Sequence, residues 1–325
     1  GGPMKILKLI PRRALATLSL AAITLSAHTH AHAWNDFGHM VVAAIAYPQL
    51  TDTTRARVDA LLKLNPDYAK WVDGVPDKDQ GVTAFVMAAR WPDAIKRNPD
   101  YTSDGADNGE TPTDATASQN IGYGDHLRHK YWHYKDIPFS TDGSAVQDPK
   151  QPNVGTQIGE FKKTIASDTA SDDLKSYDLA WLLHLTGDSH QPLHATSRFS
   201  SDLPQGDQGG NKQALCASPC KSELHAFWDD VLGRSEKPSA AIRAAAKKTL
   251  FVPPSDEQSQ ILDENTWLDE SFEAAKSYAY APPVNAGPSP YHLTPEYKAQ
   301  AKKVARERVA LAGARLANLL NTMLK

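Results

Sequence analysis

The amino-acid sequence predicts an all-α fold, a single-domain helical bundle with long polar loops between its helices. Apolar residues recur at intervals of three and four in nine successive segments, and no stretch alternates convincingly as a half-buried strand would. In chain order the segments are 38 to 48, 54 to 64, 83 to 96, 155 to 167, 174 to 191, 222 to 233, 239 to 249, 258 to 278 and 295 to 324. The fifth should end before Pro192, because proline lacks the N–H that would continue the helix. The ninth sets Val304, Val309, Leu311, Leu316, Leu319 and Leu320 among Lys and Arg, the pattern of a long amphipathic helix that packs along a bundle. Polar loops are expected at 97 to 130, 136 to 153 and 196 to 221, with a Pro-rich turn region at 281 to 294. Loops of such length are more often functional rims than idle connections, and Gly206, Gly209 and Gly210 permit close backbone approach to a ligand.

The chain has 325 residues, of which Gly1 to Pro3 read as a remnant preceding Met4. Lys5, Lys8, Arg12 and Arg13 form a basic region, Ala14 to Ser26 an apolar one, and Ala31-His32-Ala33 fits a signal-peptidase site. Residues 4 to 33 are thus expected to be an export leader, with residues 34 to 325 as one domain, periplasmic or secreted. The apolar run is too short to span a membrane and no later stretch is longer, so no membrane anchor is expected. From residue 34 onward the chain carries 31 basic and 38 acidic residues, a formal charge of -7. Such a surface argues against a basic nucleic-acid groove; a polyanionic substrate would need its positive field from bound metal. Cys216 and Cys220 are the only cysteines, and an oxidising compartment favours a disulfide between them over a pair of zinc thiolates. No protein partner is implied, so a monomer is the expectation.

Nine histidines lie beyond the leader, and their spacing carries the chemistry. His184 and Asp188 are four apart on one helical face, and His225 and Asp229 repeat that spacing on the next helix. His194 follows just beyond Pro192, where the chain can turn back toward the same pocket. Imidazole with carboxylate is the donor set of a hydrolytic zinc site. A single such pair is more often a hydrogen-bonded pair without metal, but two pairs joined by Gln191-Pro192-Leu193-His194, with Trp34, His39, Asp93 and His133 upstream, form a constellation.

The chain resembles the zinc-dependent single-strand nucleases of fungi, plants and bacteria, the S1/P1 type, from Trp34 to the C-terminus. Its most specific part is His184-Leu-Thr-Gly-Asp188-Ser-His-Gln-Pro-Leu-His194, followed by Gly209-Gly210-Asn211 and His225-Ala-Phe-Trp-Asp229. Trp34-x4-His39, Trp91-Pro-Asp93 and Trp132-His133-Tyr134 complete the likeness. The resemblance implies the helical fold shared with zinc phospholipase C, and three Zn²⁺ ions in one cleft. Asp93, His133, His184 and Asp188 would hold the first; Asp188 would bridge to a second, with His39 and the amino nitrogen and carbonyl oxygen of Trp34; His194, His225 and Asp229 would hold the third. The implied reaction is endonucleolytic hydrolysis of single-stranded DNA and RNA at P–O3′ bonds, leaving 5′-phosphates, with 3′-nucleotidase activity on nucleotides at the same site. The close pair would bring the pKa of a bridging water toward ~7 and the third ion would draw charge off the phosphate.

Around the ligands, Lys96 stands where fungal members carry Arg, and either neutralises the transition-state phosphate or is a solvated lysine at a helix end. Asp136 matches an active-site carboxylate that orients water or contacts a base. Tyr134 matches an aromatic position that stacks on a base, worth ~1 to 3 kcal/mol and closed to paired duplex, although a core tyrosine would look the same. Asn211 either contacts the nucleotide or fixes its loop. His126, His129, His190 and His292 read as surface histidines, with the rim of the cleft as the alternative for His126 or His129, and Trp71, Trp181 and Trp267 read as core.

Two other readings compete. A zinc phospholipase C shares the fold, but has a longer gap between its N-terminal Trp and first His and ends its ligand set on Glu, where this chain has Asp229. A periplasmic zinc-binding protein without catalysis would need loosely built, exchangeable sites, which ligands from five segments sharing a bridging carboxylate do not suggest.

Overall fold

The computed structural model describes residues 1–2, 34–105, 111–219, 221–285 and 289–325. Internal contacts divide the chain into Gly1–His30 and Ala31–Lys325. The expected leader at 4 to 33 and the Cys216–Cys220 pairing, through Cys220, lie outside the described residues.

The chain order is α1 (Asp36–Ala46), α2 (Asp52–Leu62), α3 (Tyr68–Val72), α4 (Asp77–Ala88), α5 (Trp91–Ile95), β1 (Pro138–Ser140), α6 (Val154–Ala166), α7 (Asp172–Asp188), β2 (Ser197–Phe199), α8 (Leu224–Asp230), α9 (Pro238–Ala245), α10 (Asp256–Ser259), α11 (Glu264–Ala274) and α12 (Pro295–Met323). Among the described residues the fold is mostly helical, with one small sheet in which β1 and β2 pair in parallel, Pro138 opposite Ser197 and Ser140 opposite Phe199. Among the described residues no helix is long and apolar enough to cross a membrane.

Several helices start where a side chain can accept an otherwise unpaired first-turn N–H. Asn35 caps α1, Thr51 caps α2, Ser171 caps α7 and Thr294 caps α12, while Asn153 and Thr156 close a reciprocal capping box on α6. The centre of the bundle is α7, buried continuously from Ser176 to Asp188 by α1, α2, α5, α6 and α12. A helix buried on every side has no solvent face on which to hide polar residues, so each of those on α7 must find a partner inside. Trp71, Trp181 and Trp267 are core residues, as expected.

Four expectations need correction. The segment 83 to 96 is two helices, because Pro92 offers no N–H and the chain restarts at Trp91. The segment 258 to 278 is likewise α10, then α11 extended by a π-helical turn over Ala275–Ala279. His190 is not on the surface: it is fully buried, 3.1 Å from Arg315, whose guanidinium binds Glu270 at 2.7 and 2.8 Å. Nor is His129, which is completely enclosed, whereas His126 and His292 are exposed.

Candidate metal centre and active site

The break after α4 builds the first part of the site. Ala89 loses its next helical partner because Pro92 has no N–H and the Asp93 N–H turns to the Arg90 carbonyl at 3.2 Å. The freed Ala89 carbonyl accepts Nδ1–H of His184 at 2.7 Å. That bond fixes the tautomer, so Nε2 of His184 presents its lone pair to Nδ1 of His133 at 3.0 Å, with Asp188 Oδ2 at 3.4 Å and Asp93 Oδ1 at 3.6 Å. His39 from α1 stacks on His184, ring centroids 3.7 Å apart, and puts its Nε2 3.2 Å from Asp188 Oδ1.

The second part is assembled by a reciprocal clamp. His194, in the short turn after Pro192, donates Nδ1–H to the His133 carbonyl at 2.6 Å, and its own carbonyl accepts the Lys135 N–H at 2.9 Å. The parallel pairing of β1 with β2 begins a few residues further along the same two segments. His225 donates Nδ1–H to the Gly209 carbonyl at 2.7 Å, so the Nε2 atoms of His194 and His225 face each other at 3.0 Å. Asp229 lies 3.6 Å from His225 Nε2 and is oriented by Gln191, whose amide donates to it at 2.7 Å.

Two imidazole nitrogens at hydrogen-bond distance, each with its other nitrogen committed as a donor, present lone pairs to each other. That arrangement is repulsive unless a cation lies between them. Burial drives His39 down to about 4 and His133, His184 and His194 well below the usual histidine value, so these rings are neutral at neutral pH. Burial also pushes the Asp229 carboxyl well up, reinforced by Asp230, Asp93 and Asp188. Neutral imidazoles beside crowded carboxylates are the donor set a divalent ion takes. The ligand atoms form three groupings, His39/Asp93/His184, His133/His184/Asp188 and His194/His225/Asp229, each within 4.8 Å. Eight of the side chains named in the sequence therefore converge. The partition differs from the expected one: Asp93 groups with His39 and His184, where the sequence put it with His133, His184 and Asp188 and put His39 with Asp188, and His184, common to two groupings, joins these five residues in one cluster.

Trp34 is wholly buried at the entrance to α1, and the neighbouring Asn35 N–H donates to the Asp229 carbonyl at 3.2 Å. Lys96 is not solvated: its side chain is 6% exposed and its ammonium binds Asp93 at 2.8 Å. Tyr134 and Asp136 are half-buried on either side of Lys135, next to His194. Burial, followed by the charge of Asp207 and opposed by Lys212 and Lys150, lifts Asp136 to about 7. The Asn211 amide donates to the Gln208 carbonyl at 2.6 Å and so fixes the loop that carries Gly209.

Nothing in the sequence signalled the roles of Gln191, the Ala89 carbonyl and Gly187. Gly187 sits between His184 and Asp188, and a Cβ there would lie 2.7 Å from His39 Nδ1. Alanine in a helix interior is ordinarily worth roughly 0.5–1 kcal/mol over glycine. At this position Gly187→Ala is expected instead to displace His39 and lower the activity of the site by roughly 10- to 100-fold, since small misplacements at a reacting centre are costly. Steady-state rates checked beside a melting curve would show whether the site, and not the fold, is what suffers; unchanged rates would refute the close packing.

The fold and these groupings define a helical protein with buried His/Asp clusters of the kind that can bind metal. The S1/P1 Nuclease family matches residues 34–325, and the chain belongs to that family, whose members are hydrolases acting on nucleic acid. It is 26% identical over 309 residues to "Endonuclease 3" of Arabidopsis thaliana, covering 89% of this chain and 88% of that protein. It is 25% identical over 325 residues to "Endonuclease 4" of the same plant, with the same coverage of 89% and 88%.

Proposed function

We propose that the protein is an exported, zinc-dependent endonuclease that hydrolyses single-stranded DNA and RNA at P–O3′ bonds, and also a 3′-nucleotidase. The observation that carries this reading is the pair of opposed Nε2 atoms of His194 and His225, 3.0 Å apart beside Asp229. Three zinc ions are proposed, held by Asp93, His133, His184 and Asp188; by Asp188, His39 and the amino nitrogen and carbonyl oxygen of Trp34; and by His194, His225 and Asp229. When bound, such ions supply Lewis-acid polarisation of phosphate and a water made acidic enough to act near neutral pH.

The chain's own residues do the rest. Lys96, held against Asp93, places a positive charge at the edge of the cluster, where it offsets charge on the phosphate. Hydrolysis adds water across the P–O3′ bond: oxygen bonds to phosphorus, and the departing O3′ takes a proton. Asp136, titrating near neutrality, can donate to or accept from a base or water beside His194. Tyr134 offers the ring on which an unpaired base stacks, which a duplex cannot provide. Asn211 acts indirectly: its amide holds the Gln208 carbonyl, and with it the loop whose Gly209 carbonyl fixes His225.

The test is hydrolysis of heat-denatured DNA and of RNA, with and without chelator, beside duplex DNA and phosphatidylcholine. Chelator-sensitive cleavage of the single strands with 5′-phosphate products is expected. Cleavage of lipid alone would transfer the site to a phospholipase C reaction, and bound zinc without any hydrolysis would leave a metal-binding protein.

A further inference from the structure

The buried His129 lies outside the metal groupings, and its surroundings are unusual for a neutral ring. Its Nδ1 is 2.8 Å from Asp104 Oδ2 and 2.9 Å from the Tyr131 hydroxyl, and its Nε2 is 2.7 Å from Asp125 Oδ2. The Tyr131 hydroxyl itself donates to Asp104. Among the described residues, Asp104, Asp125 and Tyr131 are the titratable groups that face the ring; its flat side stacks on Trp132, centroids 3.7 Å apart and planes within 2°, and Trp181 meets its edge. A neutral imidazole has one N–H and could serve only one of two carboxylates placed at opposite nitrogens, leaving the other against a lone pair. Both nitrogens donate only in the imidazolium.

The same residue governs the backbone ahead of His133. His129 has φ +43°, the left-handed conformation, and its carbonyl accepts the Trp132 N–H at 2.9 Å to start the turn over Lys130–His133. Its own N–H donates to Asp104 at 2.9 Å, and the Trp132 indole donates to the Ala117 carbonyl at 2.8 Å. The turn that ends in His133 is thus tied to the 97–130 loop by the His129 ring, the His129 N–H and the Trp132 indole.

We infer that His129 is the positioning residue for His133: as an imidazolium bridging Asp104 and Asp125, it holds the turn that aims His133 into the metal cluster, and so makes metal retention there depend on pH. This rests on reading His133 as a metal ligand. Burial alone would favour the neutral ring, but Asp104 and Asp125 outweigh it and hold His129 above its usual value of 6.5. Burial likewise opposes ionisation of Asp104, yet the bonds from His129 and Tyr131 keep it below its usual value. A raised histidine contributes stability that is complete below its unfolded pKa and is lost as pH rises through the folded one. A depressed aspartate contributes above its unfolded pKa and is lost as pH falls through its folded value. The tie is therefore whole from roughly pH 4 to 6.5 and loosens above the raised histidine value.

The experiment follows zinc transfer from zinc-loaded protein to a chromogenic chelator between about pH 6 and 9, for wild type, His129→Asn and Asp125→Asn, with ¹⁵N NMR of the histidine rings in wild type. Asparagine tolerates the left-handed backbone. Both ring nitrogens of His129 should be protonated at about pH 6, and zinc release by wild type should quicken as that ring titrates. The variants should lose zinc roughly tenfold faster at about pH 6, in line with other residues that support metal ligands, with little further change on raising the pH. A wild-type His129 that is neutral at about pH 6, or variants that keep zinc as wild type does, would overturn the positioning role. Wild-type protein that takes up no zinc would instead overturn the ligand reading, and this inference with it.

Discussion

Asp188→Asn is expected to reduce cleavage of denatured DNA by about 10³-fold or more and to lower the zinc content of the protein. Asp188 is fully buried and lies 3.2 Å from His39, 2.9 Å from His133 and 3.4 Å from His184, so one carboxylate serves three imidazoles. Asparagine preserves its shape but removes the charge and turns N–H groups toward nitrogens that must remain ligands. Losing a metal's contribution of several kcal/mol corresponds to a loss of about three decades at 1.4 kcal/mol each. Asp178 supplies the control. It is a second buried aspartate on α7, pushed up to about 7 mainly by burial, and it accepts a hydrogen bond from Asn120 at 2.7 Å away from the groupings. Asp178→Asn should leave cleavage within about twofold, because a half-protonated carboxyl already resembles the amide. Wild-type rates in Asp188→Asn, or equal losses in both variants, would detach catalysis from this cluster.

The part of the site most legible in the sequence was set by local geometry. His184 and Asp188, like His225 and Asp229, share a helical face because the helix repeats every 3.6 residues, and spacing alone states that. The apolar repeat also marked α7 and α12 close to their observed limits. What was not legible depends on partners distant in sequence. His190 meets Arg315 on α12, itself bound to Glu270 on α11, where the sequence suggested solvent. His129 stands in a stretch as polar as any exposed loop, and only Asp104, Asp125 and Trp132 together make it interior. The break at Pro92 was masked by an apolar repeat that runs across it. Strands of three residues are too short to show alternation, so β1 and β2 left no trace in the pattern.

Protein that keeps the Ala33–Trp34 bond is expected to bind one zinc fewer and to cleave on the order of 10²-fold more slowly than protein beginning at Trp34. A terminal α-amino group, with a pKa of roughly 7.7–8.0, can give up a proton and offer a lone pair to metal, whereas an amide nitrogen has its pair delocalised into the carbonyl. The surrounding packing leaves little room for an alternative. Trp34 is wholly buried, a Cβ on Gly38 would come within 2.5 Å of its own Cβ, and Asn35 is fixed on both sides, by its N–H to the Asp229 carbonyl at 3.2 Å and by its side chain to Asp230 at 2.7 Å. The segment cannot slide to bring another donor to His39 without breaking contacts that also define the His225/Asp229 end of the site. Metal content by mass spectrometry, measured on both forms alongside their rates, separates the possibilities. Equal zinc and equal rates would mean that Trp34 is a packing residue and that the ion beside His39 is held by side chains alone; one zinc fewer, with slow cleavage, would make removal of the leader the step that activates the enzyme.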